Sequence, residues 1–261
     1  MANLLDLSGK TVLITGGLGD IGRVVVKTLS EHGAAVCVND IVEQREGEKR
    51  AAELSYRGRT LYVQADATDP GAVDALFETV DAQLGLPDVV CCHAGLVASD
   101  PVERFPLETY DAIMNLNVRS SFIVAQAAAR RWKERGTRGQ LIFTSSWVQD
   151  VPWPEITPYT ASKSALKALA RGFARELAPD IRANVIAPGI VAVGMAKRQW
   201  DTEPGYRARA ERAIPLGYMQ PPESVAHAFL FLCSPLADYL TGSVLLVDGG
   251  ASLYPMDSDE S

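Results

Sequence analysis

Apolar residues along the chain fall into short runs that alternate with stretches of helical periodicity. The run from Thr11 to Thr15 (TVLIT) ends in glycines, and from Ile21 to His32 apolar residues return at helical spacing. The same order of strand, turn and helix repeats. Strands are predicted at Ala35 to Asn39, Thr60 to Gln64 and Asp88 to Cys92, with helices at about Glu43 to Leu54 and Gly71 to Leu84. Beyond Leu107, helical segments reach about Arg135. They are followed by a strand at Leu141 to Thr144, a helix at about Thr160 to Leu177, a strand at Ala183 to Ala187, a helix near Glu223 to Cys233 and a strand at Val244 to Val247. The segment from Met195 to Met219 reads as a long loop, placed to act as a lid. Seven apolar strands alternating with helices imply a mostly parallel sheet covered on both faces, because parallel neighbours need crossover helices. The expected class is a doubly wound α/β fold. Ligands of such sheets bind outside the carboxyl ends of the strands, so the residues just after Thr15, Asn39, Gln64, Cys92, Thr144 and Ala187 carry the chemistry.

Composition narrows this picture. The 261 residues are 47% hydrophobic and 22% charged, which suits one sizeable core; we expect a single domain over 1–261, its core at about 7–253 and a short mobile tail at 255–261. A net charge of −7 argues against nucleic acid as a partner. No run approaches the roughly 18 apolar residues that cross a bilayer, and MANLLDLSGK lacks the pattern of a signal peptide, so no membrane partner is expected and the expected address is cytoplasmic. Cys37, Cys91, Cys92 and Cys233 show no CxxC spacing and read as buried small hydrophobes. His32, His93 and His227 form no metal-ligand grouping, and no metal is expected.

The turn after the first strand contains Gly16, Gly17, Gly19, Asp20, Ile21 and Gly22, where glycines let a backbone approach a pyrophosphate at a helix N-terminus. An empty tight turn uses glycines as well. Asp40 ends the second strand 18 residues after Gly22, near the spacing at which a carboxylate takes hydrogen bonds from adenosine ribose hydroxyls. Its charge would repel a 2′-phosphate, and no Arg or Lys occupies Gly17, Leu18 or Ile41, so NAD is favoured over NADP. The alternative is that Asp40 only caps a turn. Asp66 and Ala67 follow the third strand, and Ala94 and Gly95 the fourth, on the same binding edge; both pairs also fit plain loop turns. Tyr159 and Lys163 stand four apart at the start of a helix, on one face. A cation beside a phenol favours the phenolate, so Tyr159 is expected to exchange a proton with a substrate hydroxyl near neutral pH, tuned by Lys163. Ser145 and Ser146 end the fifth strand at that edge.

The TGxxxGxG-like turn, Asp40, Asp66, the AlaGly pair, Asn117, Ser146 and the YxxxK pair together resemble the short-chain dehydrogenase/reductase family, over about Leu7 to Leu253. The resemblance implies a compact, Rossmann-like, seven-stranded fold and hydride transfer between NAD(H) and a small-molecule secondary alcohol or ketone. It implies that Tyr159 is the acid/base, that Ser146 orients the substrate oxygen and that Lys163 also binds the nicotinamide ribose. It further implies that Asn117 holds a proton-relay water and that Pro188, Gly189, Ile190 and Val191 lie beside the nicotinamide. A homodimer or homotetramer is implied too, in keeping with the alanine-rich helices at Ser121 to Arg135 and Thr160 to Leu177. Three departures stand out. Asp20 replaces a glycine and is expected to cap the first helix. Cys92 and His93 replace two asparagines, which predicts a different local hydrogen-bond pattern. Val193 replaces a threonine, which predicts weaker cofactor binding.

Specificity is expected from Leu96 and Val97, from Trp147 to Ile156, and from the lid. Trp147, Trp153 and Trp200 are placed to stack on a sugar face and Glu155 to bind hydroxyls, so a sugar or polyol is the favoured substrate and an oxoacyl thioester stays open. Two rivals are a non-catalytic NAD-sensing protein of the same fold and a methyltransferase. Neither has a use for Tyr159, Lys163, Ser146 and Asn117 together.

Overall fold

In the computed structural model, which describes residues 3–253, the strands β1 (Thr11–Thr15), β2 (Ala35–Asp40), β3 (Thr60–Gln64), β4 (Val89–Cys92), β5 (Gly139–Thr144), β6 (Ile181–Pro188) and β7 (Val244–Val247) form one sheet. Its order is β3-β2-β1-β4-β5-β6-β7, and every pairing is parallel. The expected mobile tail at 255–261 lies outside the described residues.

The inner strands β1, β2, β4, β5 and β6 bury both faces, which is why their sequences read as apolar runs, while the edge strands β3 and β7 are only partly buried. Val12, Ile14, Val36 and Val38 face a cluster built by α1 (Gly22–Glu31) and α9 (Pro222–Cys233), through Val25, Leu29, Val225 and Phe229. Leu13, Cys37, Val90 and Phe143 face the opposite way, onto α3 (Pro70–Leu84), α5 (Ser120–Arg135) and α6 (Thr157–Leu177). α2 (Gln44–Ala52) crosses between β2 and β3, and α4 (Leu107–Ile113) runs into a π-helical stretch, Met114–Arg119, before α5. The four cysteines are buried and free.

The element bounds agree with the sequence reading to within a few residues. The exception is the expected loop at Met195 to Met219, which is largely two helices, α7 (Gly194–Thr202) and α8 (Pro204–Ala213). They close a third apolar cluster containing Trp147, Val148, Ile156, Ile190, Tyr206, Ala210, Ile214 and Met219, which belongs to neither face of the sheet. The strand order reverses between β1 and β4. The chain leaves these two neighbours toward opposite sides and opens a crevice at their carboxyl ends. Among the described residues no helix is long and apolar enough to cross a membrane.

Candidate active site

At the end of β1, Gly16 has φ 67°, and a Cβ built on it would sit 2.9 Å from the Cα of Ala94. The first turn and the loop after β4 therefore meet backbone to backbone. A Cβ on Gly22 would lie 2.3 Å from the carbonyl oxygen of Gly16, so only glycine lets α1 start this close beneath the turn. α2 and α3 are capped by the carboxylates of Glu43 and Asp69, whereas α1 has no capping side chain and no acidic residue in its first turn. The N–H groups of Arg23, Val24 and Val25 bond back to the Gly19 and Ile21 carbonyls, which leaves those of Ile21 and Gly22, with the positive end of the helix dipole, available to an anion. Asp20 does not cap α1 as expected; Ile21 already has helical φ and ψ and occupies the cap position, and Asp20 instead forms a half-exposed ion pair with Arg23 at 3.4 Å.

Asp40 accepts hydrogen bonds from Leu18 N at 3.1 Å and Ile41 N at 2.8 Å, bracing the glycine turn from the end of β2. Arg50 of α2 donates to the Leu18 carbonyl at 3.0 Å and is thereby committed to the turn. Asp66 accepts from the N–H and hydroxyl of Thr68, both at 2.8 Å. Thr15 Oγ1 accepts from the N–H groups of His93 and Ala94, each at 3.1 Å, tying β1 to the loop after β4.

The second half of the crevice is set by α6. Lys163 is buried, lies 5.3 Å from the centre of the Tyr159 ring and donates from Nζ to the Thr144 carbonyl at 2.8 Å. Ser145 anchors this helix turn by donating to the Lys163 carbonyl at 2.8 Å. The expected acidified phenol is not what this arrangement produces. Burial pushes Tyr159 up to about 12, the Ser146 side chain opposing it by less, and burial lowers Lys163 to about 8. The surrounding protein penalises both charged forms, and the ammonium is directed at a carbonyl.

Asn117 is fully buried in the π-helical stretch. Its side chain accepts from Leu96 N at 2.8 Å and donates to the Leu96 carbonyl at 3.0 Å and to Ser162 at 2.9 Å, which fastens the loop after β4 to α6. A Cβ on Gly95 would come 3.0 Å from Asn117 Oδ1 and 3.5 Å from Lys163 Nζ, so the chain passes close to both groups there. Cys92 Sγ donates to the Ser121 carbonyl at 3.6 Å, and His93 Nδ1 shares a 3.0 Å hydrogen bond with the Thr144 hydroxyl. Burial, reinforced by Lys163, lowers His93 to about 4, so its ring is neutral near pH 7. On the far wall, Gly189 donates to Gln220 Oε1 at 2.7 Å beyond Pro188, and Val193 opens α7 without a side-chain cap.

One cavity of about 530 Å³ is lined by Ser146, Tyr159 and Lys163, by the expected cofactor residues from Gly16 to Val191, and by Trp147 and Trp153; Asn117 stands behind Gly95, and Trp200, expected to stack on substrate, lies beside Arg207 and does not line it. Its outer wall is aromatic: Trp147 meets Trp153 edge to face at 5.5 Å, and Trp153 meets Tyr206 at 6.0 Å. Glu155 lines the cavity with φ 68° and accepts from Ser99 at 3.1 Å. Sequence reasoning missed the hydroxyls of Thr15 and Thr144 and the side chain of Ser162; the strand-end positions of the two threonines were their available signal. The uncapped helix, the close glycine contacts and the carboxylate at the end of β2 fit a dinucleotide.

Comparison with known proteins agrees. A family model described as enoyl-(acyl carrier protein) reductase matches residues 18–252. The chain is 34% identical to the 3beta-hydroxysteroid dehydrogenase 1 of Eggerthella lenta, over 96% of each chain. It superposes with a TM-score of 0.89 on a short-chain type dehydrogenase/reductase from Mycobacterium marinum, 34% identical over 96% of this chain and 98% of that one. A gluconate 5-dehydrogenase from Burkholderia cenocepacia, solved in complex with NADP and tartrate, matches at a TM-score of 0.87 and 29% identity over 97% of this chain and all of the other.

Proposed function

Because the chain belongs to the short-chain dehydrogenase/reductase family, whose members use NAD(P), we propose that it interconverts a secondary alcohol and a ketone of a small molecule with NAD(H) preferred. The observation that carries this reading is that Ser146, Tyr159 and Lys163 share one cavity with Asp40 and the uncapped start of α1. NAD(H), when bound, supplies or accepts the hydride at its nicotinamide ring.

Tyr159 keeps its phenolic proton at neutral pH and stands ready to give it to a carbonyl oxygen during reduction. In oxidation it must take the alcohol proton as the anion, so that direction gains as pH rises. Ser146 orients the reacting oxygen. Lys163 holds α6 to Thr144 and supplies the positive charge beside the phenol. Asn117, whose side chain is committed to Leu96 and Ser162, would hold a relay water through its carbonyl, which already accepts from Ser121 at 2.8 Å. Asp40 supports NAD over NADP, because its charge faces the ribose position and Arg50 is committed to Leu18. NADP is what the Burkholderia relative holds.

The aromatic wall and the gluconate relative support a sugar or polyol substrate. An oxoacyl thioester is the second reading, favoured by the exposed Arg198, Arg207 and Arg212 on α7 and α8. Four buried free thiols support a reducing compartment, the cytoplasm. Replacing Tyr159 by Phe is expected to lower kcat by about a thousandfold or more while NADH binding, followed by fluorescence titration, stays within about twofold. Near-normal turnover of Tyr159→Phe would overturn the reading.

A further inference from the structure

The cations of α7 and α8 fall into two kinds. Lys197 pairs with Asp201, Arg207 pairs with Glu211 at 2.8 Å, and Arg198 and Arg212 are exposed to water. Arg209 differs from all of these. It lies on the inner face of α8 with the buried Tyr206 and Ala210, and it lines the active-site cavity. Its guanidinium sits 4.9 Å from the centre of the Trp153 ring. Its Nε is shielded from water and has no hydrogen-bond partner, and among the described residues no carboxylate pairs with it.

A guanidinium placed over an indole face is restrained in position, and its N–H fork is complementary to a planar carboxylate. The Nε is out of reach of water and ligand alike, whereas the terminal Nη groups are not so shielded and can donate to a ligand oxygen. The other charged side chains that line the cavity are the carboxylates Asp20, Asp40, Asp66 and Glu155 and the ammonium of Lys163. Lys163, the other cation lining it among the described residues, is already bonded to the Thr144 carbonyl. One free fork matches a single carboxylate better than a phosphate, whose second charge would find no further cation.

We infer that Arg209 anchors a carboxylate of the substrate against Trp153, so that the natural substrate is a hydroxy acid or its oxo acid. This rests on the cavity being the hydride-transfer site. The aromatic series from Trp147, next to Ser146, through Trp153 to Arg209 places the acid group at the outer end of the substrate and the carbinol at the inner end.

The test is a titration of the NAD-bound protein by tryptophan fluorescence, with butanoate against butanamide, D-gluconate against D-gluconamide, and inorganic phosphate, in wild type, Arg209→Gln and Arg209→Lys. In wild type at least one acid is expected to bind about tenfold or more tightly than its amide. Arg209→Gln should erase that preference and Arg209→Lys retain part of it, with NAD affinity unchanged in both. Equal binding of acid and amide by wild type, a preference that survives in Arg209→Gln, tighter binding of phosphate than of either acid, or no binding of any acid would each overturn the proposal. No turnover is needed, so failure here leaves hydride transfer standing. Normal turnover by Tyr159→Phe would defeat hydride transfer without touching this preference.

Discussion

Asp40 gives one carboxylate oxygen to Leu18 N and the other to Ile41 N, and each oxygen keeps a lone pair for a ribose hydroxyl. Asp40→Ser should therefore raise the ratio of NADP to NAD kcat/KM by about ten- to a hundredfold, through removal of the repelling charge. An unchanged ratio, measured by reduced-nicotinamide absorbance, would remove Asp40 from cofactor choice. His93 carries a second expectation. Its folded-state value of about 4 lies below the ordinary 6.5, so between these values the unfolded chain binds the proton and the folded chain does not. Stability present above pH 6.5 is lost as pH falls toward 4. His93→Gln should lose less stability across that interval, by about 1–2 kcal/mol, the partly exposed ring reducing the effect of the full shift. Parallel urea midpoints for both proteins from pH 7 to 4.5 would refute this. Asp40, Tyr159 and Lys163 were legible in the sequence because spacing alone puts them at strand ends and on one helix face. The ionisation of Tyr159 was not, since it depends on burial and on where the Lys163 ammonium points.

At the level of elements, the start of α1 shows how a helix terminus is kept open. The Gly22 position admits no side chain, so Gly22→Ala should force the turn apart from the helix. The expected cost is about 2–4 kcal/mol of stability together with at least about a tenfold loss of NADH affinity. Retention of both in chemical denaturation and NADH titration would show that the turn relaxes cheaply. The two helices α7 and α8 mark the limit of pattern reading. α8 (PGYRARAERA) begins with Pro and Gly and buries only Tyr206 and Ala210, too sparse an apolar stripe to announce a helix. Packing of those two side chains onto Trp153 and the neighbouring cluster stabilises it, and that contact spans some fifty residues of chain. The same packing turns Arg209 inward, away from the water that surrounds Arg207 and Arg212.

For the molecule as a whole, the self-association expected from the sequence would draw on exposed apolar side chains at Leu107 and Tyr110 on α4, at Phe122 on α5 and at Leu246 on β7. Sedimentation at micromolar concentration is expected to show a dimer or tetramer; a monomer would discard that arrangement. The sequence by itself determined the alternation of strands and helices, because a parallel strand buried on both faces must be apolar throughout and a crossover helix must carry an apolar stripe. It also determined which residues stand at the carboxyl ends of those strands. Tertiary structure alone decided the reversal of strand order between β1 and β4, the burial that raises Tyr159, and the placement of Arg209 over Trp153. Each of these depends on groups far apart in the chain whose distance, shielding and orientation arise only when the sheet and the helices α7 and α8 pack together.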